Sequence, residues 1–474
     1  MPPITRRTML ATAAGASVAA RAQPGAPPNI VFILADDMGY ADVACYGRPD
    51  LATPHIDRLA AQGARFVQGY ANSAVCSATR TALITGRYQY RLAVGLEEPI
   101  SAPSKNPGLP PSHPTLPSIL KARGYETALI GKWHLGALPD YGPLRSGYDH
   151  FWGFRSGGVD YYTHKNLAQK DDLWDGDTPV EVAGYLTDLI GDRAVSAVRS
   201  YAGKPFFLSL HFSAPHWPWE APGDEAESER LRTRSIRDYD GGSQKTYRAM
   251  IERLDFQVGR ILQALDDTGQ ADNTIVVFTS DNGGERFADT WPFTGRKTEL
   301  LEGGLRIPMI IRWPGRVTPG MVSDQVAISM DWLPTLLAAA GTAPDPAYPP
   351  DGMNLVPHLT GGPAVPRQLF WRYKANAQRA ARDGDWKILK IAENTFLFDV
   401  VADPMERANL RDRHPDVYDR MVGEWDAWNR TMLPEVRETF TEAFTADQLA
   451  DHIGARPVSL EPDPVDGWPK PAAR

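Results

Sequence analysis

Two stretches of this sequence decide its fold, Asn29-Ile-Val-Phe-Ile-Leu-Ala-Asp-Asp37 and Thr274-Ile-Val-Val-Phe-Thr-Ser-Asp-Asn-Gly-Gly284. Each is a nearly continuous apolar run that stops at acidic and amide side chains. Such a run is typical of a strand that is buried on both faces of a parallel sheet. We therefore expect two parallel strands that bring their terminal acids to one edge of the same sheet.

Helical patterns alternate with such strands. Thr53 and Pro54 predict the N-cap and the first turn of a helix that ends near Gly63. Apolar residues three and four positions apart predict a longer amphipathic helix, and they are Ile251, Leu254, Val258, Ile261 and Leu265. This alternation indicates an α/β fold with a large, mostly parallel, helix-covered sheet, whose ligands bind beyond the carboxyl ends of its strands.

The pattern changes after about Pro366. Four short segments are separated by Asp-Gly and Asn turns, namely Leu369–Tyr373, Arg379–Arg382, Trp386–Lys390 and Thr395–Phe398. They predict a small antiparallel sheet, followed beyond Leu410 by a helical stretch and a Pro-rich tail. We therefore divide the chain into a large domain at residues 29–365 and a smaller C-terminal part at residues 366–474.

The overall charge narrows the choice of partners. The 474 residues carry a formal net charge of −8. Nucleic acids and anionic membranes require a basic face for counterion release or surface attraction, so we expect neither as a partner. A local cationic pocket is still compatible with this charge.

The first residues have the features of an export signal. Thr5-Arg6-Arg7-Thr8-Met9-Leu10 precedes an Ala-rich apolar stretch and Ala20-Arg21-Ala22, a small-residue cleavage pattern. The apolar part spans about a dozen residues, whereas a membrane-crossing helix needs about 20. We expect residues 1–22 to form a twin-arginine signal peptide and the mature protein to be periplasmic or secreted, without a membrane span. An ordinary Sec signal or a frayed N-terminus is the alternative.

The acids at the two strand ends form a candidate metal site. Asp36, Asp37, Asp281 and Asn282 offer hard oxygen ligands, and the sequence has no His or Cys cluster at zinc spacing. This ligand set favours Ca²⁺, with Mg²⁺ as the alternative, over transition metals. Taken alone, an Asp-Asp pair after a strand is more often turn chemistry, but two such strand ends strengthen the metal interpretation.

The chain has only two cysteines, Cys45 and Cys76. A disulfide between them would leave Cys76 without a free thiol, although the residues around Cys76 indicate a chemical role for its side chain. We therefore interpret Cys45 as a buried, inert small hydrophobe.

Cys76-Ser77-Ala78-Thr79-Arg80, followed by Thr85-Gly86-Arg87, resembles the signature of the sulfatase family. That signature is a Cys, any residue, Pro or Ala, any residue, and Arg, and its commoner form has Pro where this chain has Ala78. The resemblance implies that a formylglycine-generating enzyme oxidises Cys76 to formylglycine (3-oxoalanine), an aldehyde that hydrates to a geminal diol.

Further segments match the family in the same order along residues 29–410. Gly131-Lys132-Trp133-His134-Leu135-Gly136 resembles the segment that supplies a lysine and a histidine, and Ala214-Pro215-His216-Trp217-Pro218 resembles the segment with a second histidine. Gly295-Arg296-Lys297-Thr298-Glu299 resembles the segment with another lysine. The resemblance also implies an alkaline phosphatase-like fold, which agrees with the α/β interpretation.

By this resemblance, each of these residues has a role in hydrolysis of a sulfate monoester. The metal ligands are Asp36, Asp37, Asp281, Asn282 and the oxygen of modified Cys76. One diol hydroxyl attacks sulfur while His216, helped by Lys297, protonates the leaving alcohol, and the second hydroxyl, assisted by His134, then expels sulfate. Arg80, Lys132 and Lys297 neutralise the charged ester, and Lys132, His216 and Lys297 bind it.

The expected substrate is a carbohydrate or aryl sulfate, either a small molecule or a glycan. A phosphate or phosphonate ester hydrolase on the same scaffold is the nearest alternative, because both substrates are tetrahedral oxyanions. A noncatalytic sugar-binding protein is a third alternative, although binding alone does not require a general acid.

The twin-arginine route usually carries folded proteins, so we predict that Cys76 is oxidised in the cytoplasm, before export. Mass spectrometry of the Cys76 peptide in cytoplasmic and exported fractions tests this order. Conversion found efficiently only in the secreted fraction would contradict it.

Overall fold

A ten-stranded sheet lies at the centre of the molecule. The computed structural model describes residues 26–48, 50–101, 108–237 and 241–442, so the proposed signal peptide at residues 1–22 lies outside the described residues. Among the helices of the described chain, none is long and apolar enough to cross a lipid bilayer.

The strands are β1 Asn29–Ala35, β2 Ala64–Phe66, β3 Gly69–Tyr70, β4 Glu126–Lys132, β5 His150–Phe154, β6 Trp174–Asp175, β7 Thr178–Pro179, β8 Phe206–His211, β9 Thr274–Ser280, β10 Met309–Arg312, β11 Met321–Ser323, β12 Ala327–Ile328, β13 Gln368–Tyr373, β14 Gln378–Asp383, β15 Trp386–Ile391 and β16 Asn394–Asp399. The α-helices are α1 Pro54–Ala61, α2 Cys76–Thr85, α3 Leu116–Ala122, α4 Leu186–Ser200, α5 Glu225–Leu231, α6 Gln244–Asp267, α7 Glu302–Leu305, α8 Trp332–Ala339, α9 Val356–Leu359 and α10 Pro415–Asn429. Short 3₁₀ helices occupy Ala44–Tyr46, Gln89–Arg91, Ala93–Leu96, Pro143–Ser146, Ala271–Asn273, Ser329–Asp331 and Ala375–Ala377.

The central sheet has the strand order β11-β2-β10-β9-β1-β8-β4-β5-β6-β7. Its five middle strands, β9, β1, β8, β4 and β5, are parallel to their neighbours within this group, which confirms the predicted mostly parallel sheet. The pairing of β1 with β9 runs from Asn29 opposite Thr274 to Ala35 opposite Ser280. The two acidic segments that follow these strands therefore leave the sheet side by side, as the sequence predicted.

Helices cover both faces of this sheet. Alternate residues of β1 point to opposite sides, so that Val31 and Ile33 join one core cluster and Ile30 and Phe32 join the other. The five apolar residues that predicted the long helix lie in α6 and are fully buried, which confirms this prediction. The predicted helix between Thr53 and Gly63 is α1.

A second sheet, with the order β13-β14-β15-β16, is entirely antiparallel, as predicted. The helix α10 packs against one of its faces through Trp425 and Met421. Its other face joins a core cluster that includes Leu369 and Trp371 of β13 and also Ala78 and Ala82 of α2. The small sheet and α2 therefore share a hydrophobic core.

Gly86 ends α2 in a conformation that favours glycine. It is the C-cap residue, with φ of +67°, and its N–H donates to Ala82 O. A Cβ atom at this position would lie 2.9 Å from Leu333 Cβ. Gly124 also has positive φ, at +91°, but beyond its chain neighbours no atom lies within 4 Å of the point where a Cβ atom would stand.

We therefore expect Gly86→Ala to lower the thermal unfolding temperature more than Gly124→Ala does. The left-handed backbone alone costs on the order of 1–3 kcal/mol for a non-glycine residue in either variant, and the contact with Leu333 adds to this cost only at position 86. Circular dichroism melting of both variants and the wild type tests the difference. Equal losses would show that α8 moves away without cost.

Candidate active site

The carboxyl ends of β1, β4 and β9 meet at one edge of the sheet. Asp36 and Asp37 follow β1, Lys132 is the last residue of β4, and Asp281 follows β9. The helix α2 begins at Cys76 on the same side and brings the positive end of its dipole to this group. Segments far apart in the sequence therefore supply one cluster of charges.

Three buried ion pairs hold this cluster together. They are Lys132 Nζ to Asp36 Oδ2 (2.6 Å), Arg80 Nη2 to Asp281 Oδ2 (2.8 Å) and Lys297 Nζ to Asp37 Oδ2 (2.8 Å). All six side chains are at most 3% exposed, so each charge depends on its partners rather than on water. Removal of one member would leave its partner charged and desolvated.

The three carboxylates of this cluster differ in the direction in which their surroundings shift the pKa. Burial and the neighbouring Asp281 raise the pKa of Asp36 well above its ordinary value, because they outweigh Lys132 and Arg80. Burial likewise raises the pKa of Asp37, despite its lysine partner. Burial alone would also raise the pKa of Asp281, but Arg80 and Lys132 hold it below its ordinary value. Two of the three acids therefore lack sufficient positive charge in their surroundings.

The donors in this cluster fit a divalent cation. Asp36 Oδ1 and Asn282 Oδ1 are buried and accept no hydrogen bond from any described residue. Ligand atoms of Asp36, Asp37 and His216 lie within 4.8 Å of one another, as do those of Asp36, Cys76 and Asp281. These carboxylate and amide oxygens could coordinate a hard, oxygen-binding cation. Such a cation would also supply the positive charge that Asp36 and Asp37 lack.

His134 lies directly beside Cys76. Its Nδ1 is 3.3 Å from Cys76 Sγ, and its Nε2 is 2.8 Å from the carbonyl oxygen of Ile100. Burial and the charge of Lys132 lower the pKa of His134 well below its ordinary value, so the ring is neutral. The carbonyl at Nε2 assigns the proton to that nitrogen, and Nδ1 is therefore an acceptor that faces residue 76.

His216 has the opposite orientation. Its Nδ1 is 2.6 Å from the carbonyl oxygen of Trp217, and its Nε2 is 3.6 Å from Asp37 Oδ2. Burial and Lys297 lower the pKa of His216 well below its ordinary value. Two neutral histidines therefore present unprotonated nitrogens from different sides of the site.

Gly157 and Gly158 allow the chain after β5 to pass close to both histidines. A Cβ atom would lie 2.8 Å from His134 Cε1 at position 157 and 3.0 Å from His216 Cε1 at position 158. This role was not predicted from the sequence. The available signal was a Gly-Gly pair shortly after a strand that ends at the ligand edge of the sheet.

A cleft of about 690 Å³ opens above these residues. Cys76, His134, His216 and Lys297 line it, and its walls include Pro99–Ser101 and parts of the segment between Arg155 and Trp174. Phe440 and Glu442 add a wall from the C-terminal segment. Cys76, both histidines and Lys297 therefore border one common cleft.

The structure brings every site residue predicted from sequence into this one network, and their individual catalytic roles stay predictions. These residues are Asp36, Asp37, Cys76, Arg80, Lys132, His134, His216, Asp281, Asn282 and Lys297. His211, the last residue of β8, was missed, and its Nδ1 lies 3.2 Å from Arg80 Nη1. Its position at the end of a buried strand, like that of Lys132, was the available signal.

The prediction for Cys45 was only partly right. Both cysteines are free, as expected, but Cys45 is half-buried rather than buried. Its backbone N–H donates to Asp57 Oδ1, and burial together with that carboxylate raises the pKa of its thiol to about 12. The 3₁₀ turn that carries Cys45 lies at the rim of the core, which explains the partial exposure.

Sequence comparisons place the chain among sulfatases. A sulfatase family model matches residues 28–342, and a model described as N-sulphoglucosamine sulphohydrolase, C-terminal, matches residues 295–424. N-acetylgalactosamine-6-sulfatase of Homo sapiens is 34% identical over 386 residues, which are 76% of this chain and 71% of that protein. Arylsulfatase A of Homo sapiens is 34% identical over 437 residues, with coverage of 84% and 80%.

Structural comparisons give the same result. The crystal structure of Ps i-CgsB superimposes with a TM-score of 0.79 at 30% identity and covers 90% of this chain and 96% of its own. The phosphonate monoester hydrolase of Agrobacterium radiobacter has a TM-score of 0.60 at 23% identity, with coverage of 85% and 96%, and it shares the fold. The expected alkaline phosphatase-like fold is confirmed, and this chain belongs to the sulfatase family and is a sulfuric ester hydrolase.

Proposed function

We propose that this sulfatase cleaves the sulfate monoester of a glycan or aryl alcohol in the cleft above Cys76, with residue 76 as formylglycine and a bound Ca²⁺ ion. The observation that carries this proposal is the position of Cys76. It is the first residue of α2, contacts His134, and lies with Asp36 and Asp281 in one group of potential metal ligands.

The state of the unmodified thiol supports the modification. Burial raises the pKa of the Cys76 thiol to about 11, although Lys132 and Lys297 oppose this effect. At neutral pH such a thiol is protonated and is a weak nucleophile. Formylglycine, once hydrated, supplies one hydroxyl for attack on sulfur and a second for release of sulfate, which a plain cysteine lacks.

The four oxygen donors Asp36, Asp37, Asp281 and Asn282 would hold the Ca²⁺ ion. When bound, the ion supplies Lewis acidity and positive charge for the nonbridging oxygens of the ester. Mg²⁺ is the alternative, since it accepts the same donor types.

The lysines and the arginine of the network orient the ester. Arg80 is fixed through two hydrogen bonds to Asp281 Oδ2, of 3.0 and 2.8 Å, and a third to the carbonyl oxygen of Lys132. Lys132 and Lys297 each add one buried positive charge beside Cys76. Because Arg80 is fixed before substrate arrives, it stabilises charge on sulfate oxygens without reorganisation.

The two histidines are suited to opposite proton transfers. His134 Nδ1 accepts a proton from the side chain of residue 76, because its other nitrogen already donates to Ile100 O. His216 takes up a proton at Nε2 when an anionic ester enters the cleft, because the new negative charge opposes the effects of burial and Lys297 on its pKa. It can then protonate the leaving alcohol.

The relatives support a sulfated glycan as substrate. One structure of Ps i-CgsB is described in complex with k-i-k-neocarrahexaose, and one human relative is named N-acetylgalactosamine-6-sulfatase. We propose further that the protein is exported by the twin-arginine route to the periplasm or medium, after a formylglycine-generating enzyme has acted on Cys76. The motif at residues 5–10 supports the export route, and the sequence around Cys76 supports the modification.

Replacing each cysteine in turn distinguishes loss of the nucleophile from loss of the fold. We expect Cys76→Ala to abolish sulfate release from an aryl sulfate, in protein produced with a formylglycine-generating enzyme and assayed with Ca²⁺. The matched control, Cys45→Ala, retains activity because Cys45 lies outside the cleft. Melting curves of both variants should resemble the wild type.

The same assay with the matching aryl phosphate tests the competing activity. Preference for the phosphate ester would move the protein to the phosphate or phosphonate hydrolases. Residual sulfatase activity in Cys76→Ala would contradict the proposed nucleophile.

Calcium should stabilise the fold independently of turnover. We expect added Ca²⁺ to raise the melting temperature of protein treated with a chelator, because a ligand that binds only the folded state adds about 2.7 kcal/mol at 100 times its Kd. Asp36→Asn should require a higher Ca²⁺ concentration for the same shift, whereas the exposed Asp266→Asn should behave like wild type. Identical titrations for Asp36→Asn and wild type would place the ion elsewhere, and Mg²⁺ in place of Ca²⁺ measures the preference.

A further inference from the structure

The wall of the cleft that follows β5 carries two cations with no role in the chemistry described above. Arg155 and Lys170 both line the cleft. Arg155 is the first residue after β5, and Lys170 lies in the loop that leads to β6. Neither belongs to the network around Cys76.

Arg155 has unused hydrogen-bond donors. Its side chain is 5% exposed, and its guanidinium lies over the ring of Trp174 at 4.2 Å from the centroid. Within the part of the chain that the structure describes, Nη2 alone has acceptors, namely Asp177 Oδ1 (2.8 Å) and the carbonyl oxygen of Gly176 (2.9 Å). Nε and Nη1 are buried without an acceptor among the described residues. A buried guanidinium with two unpaired donor atoms gains free energy when an anion accepts hydrogen bonds from them.

Apart from Asp177, which pairs with Arg155 Nη2, the acids near this wall have partners other than Arg155 and Lys170 side chains. Asp172 accepts three hydrogen bonds, from the backbone N–H groups of Arg155 and Ser156 and from Trp174 Nε1. Asp171 pairs with Lys165 at 2.7 Å. Lys170 is exposed and has no ion-pair partner in the described part of the chain. An anion that reaches this wall therefore meets the donors of Arg155 and Lys170 beside one carboxylate, Asp172, whose two oxygens already accept hydrogen bonds.

This wall is close to the reaction centre. The backbone N–H of His134 donates to the carbonyl oxygen of Arg155 (3.2 Å). Two residues further along, a Cβ atom at Gly157 would contact the His134 ring. The Arg155 side chain therefore starts beside His134, and its guanidinium lies within one side-chain length of that point.

We propose that Arg155 and Lys170 form a subsite for a second anionic group of the substrate, a carboxylate or a second sulfate on the sugar that carries the scissile ester or on its neighbour. The inference rests on the proposed function, since it assumes a sulfated substrate in this cleft. It makes Arg155 and Lys170 determinants of specificity: the enzyme prefers dianionic sugars to monosulfated ones. Their contribution lies in binding and orientation, apart from the bond-breaking step.

A binding measurement tests the subsite without turnover. The full chain with Cys76→Ala, in the presence of Ca²⁺, is titrated calorimetrically with three galactose-based disaccharides. One carries a single sulfate, one carries a second sulfate on the neighbouring ring, and one has a uronic acid as the neighbouring ring. We expect at least one dianionic disaccharide to bind about 10- to 100-fold more tightly than the monosulfated one, as hydrogen bonds to a charged group provide. The stronger of the two identifies the anion.

The same titrations in two further variants assign the preference to residues. Arg155→Met and Lys170→Met should each reduce the dianion preference by about tenfold or more, and Arg155→Lys should restore part of it. Lys170 is exposed, so its replacement does not threaten the fold, whereas Arg155→Met is first checked by melting. Lys204→Met, at an exposed cation outside the cleft, should leave the preference unchanged.

Equal affinities for all three disaccharides, or a preference that survives both Arg155→Met and Lys170→Met, would overturn the subsite. Failure of the proposed function gives a different result, namely absence of sulfate release by wild-type protein with converted Cys76. The two hypotheses therefore fail in separate measurements.

Discussion

The parallel pairing of β1 with β9 is the constraint on which the site depends. Because the two strands run side by side over the full seven residues of β1, the segments that follow them emerge together and bury Asp36, Asp37 and Asp281 within one small volume. Three carboxylates in such a place repel one another and lose their hydration. Three cations from other parts of the chain, Arg80, Lys132 and Lys297, offset this repulsion.

The helix α2 links this charge cluster to the small sheet. Its first residue is Cys76, and its buried Ala78 and Ala82 pack in the same core cluster as Trp371 of β13. A buried ion pair between Lys387 Nζ and Glu302 Oε1, at 2.9 Å, ties β15 of the small sheet to α7. The C-terminal sheet therefore supports the helix that begins at Cys76. This packing fixes where residue 76 lies relative to Asp36 and Asp281.

The sequence predicted the parts of this arrangement that follow from local patterns. Apolar runs located the strands, helical spacing located α6, and the motif around Cys76 located a residue that lies in the cleft beside His134. The features that it did not predict depend on contacts between distant segments. Arg155 follows a strand like many other arginines, and only the tertiary structure shows that two of its donors lack acceptors among the described residues. The partial exposure of Cys45 likewise depends on how one turn meets the rim of the core.

The electrostatics of the site also explain how an acidic protein can attract a sulfate ester. The net charge of −8 is spread over the whole chain, whereas Arg80, Lys132 and Lys297 lie together at one edge of the central sheet, each in an ion pair with an acid. A cation held among Asp36, Asp37 and Asp281 would cancel the repulsion between these carboxylates and would loosen the hold of Asp36 on Lys132 and of Asp37 on Lys297. The freed ammonium groups would then face the sulfate oxygens. Binding of a cation would in this way favour binding of the ester, because the lysines that pair with Asp36 and Asp37 are those that the proposed mechanism assigns to the ester.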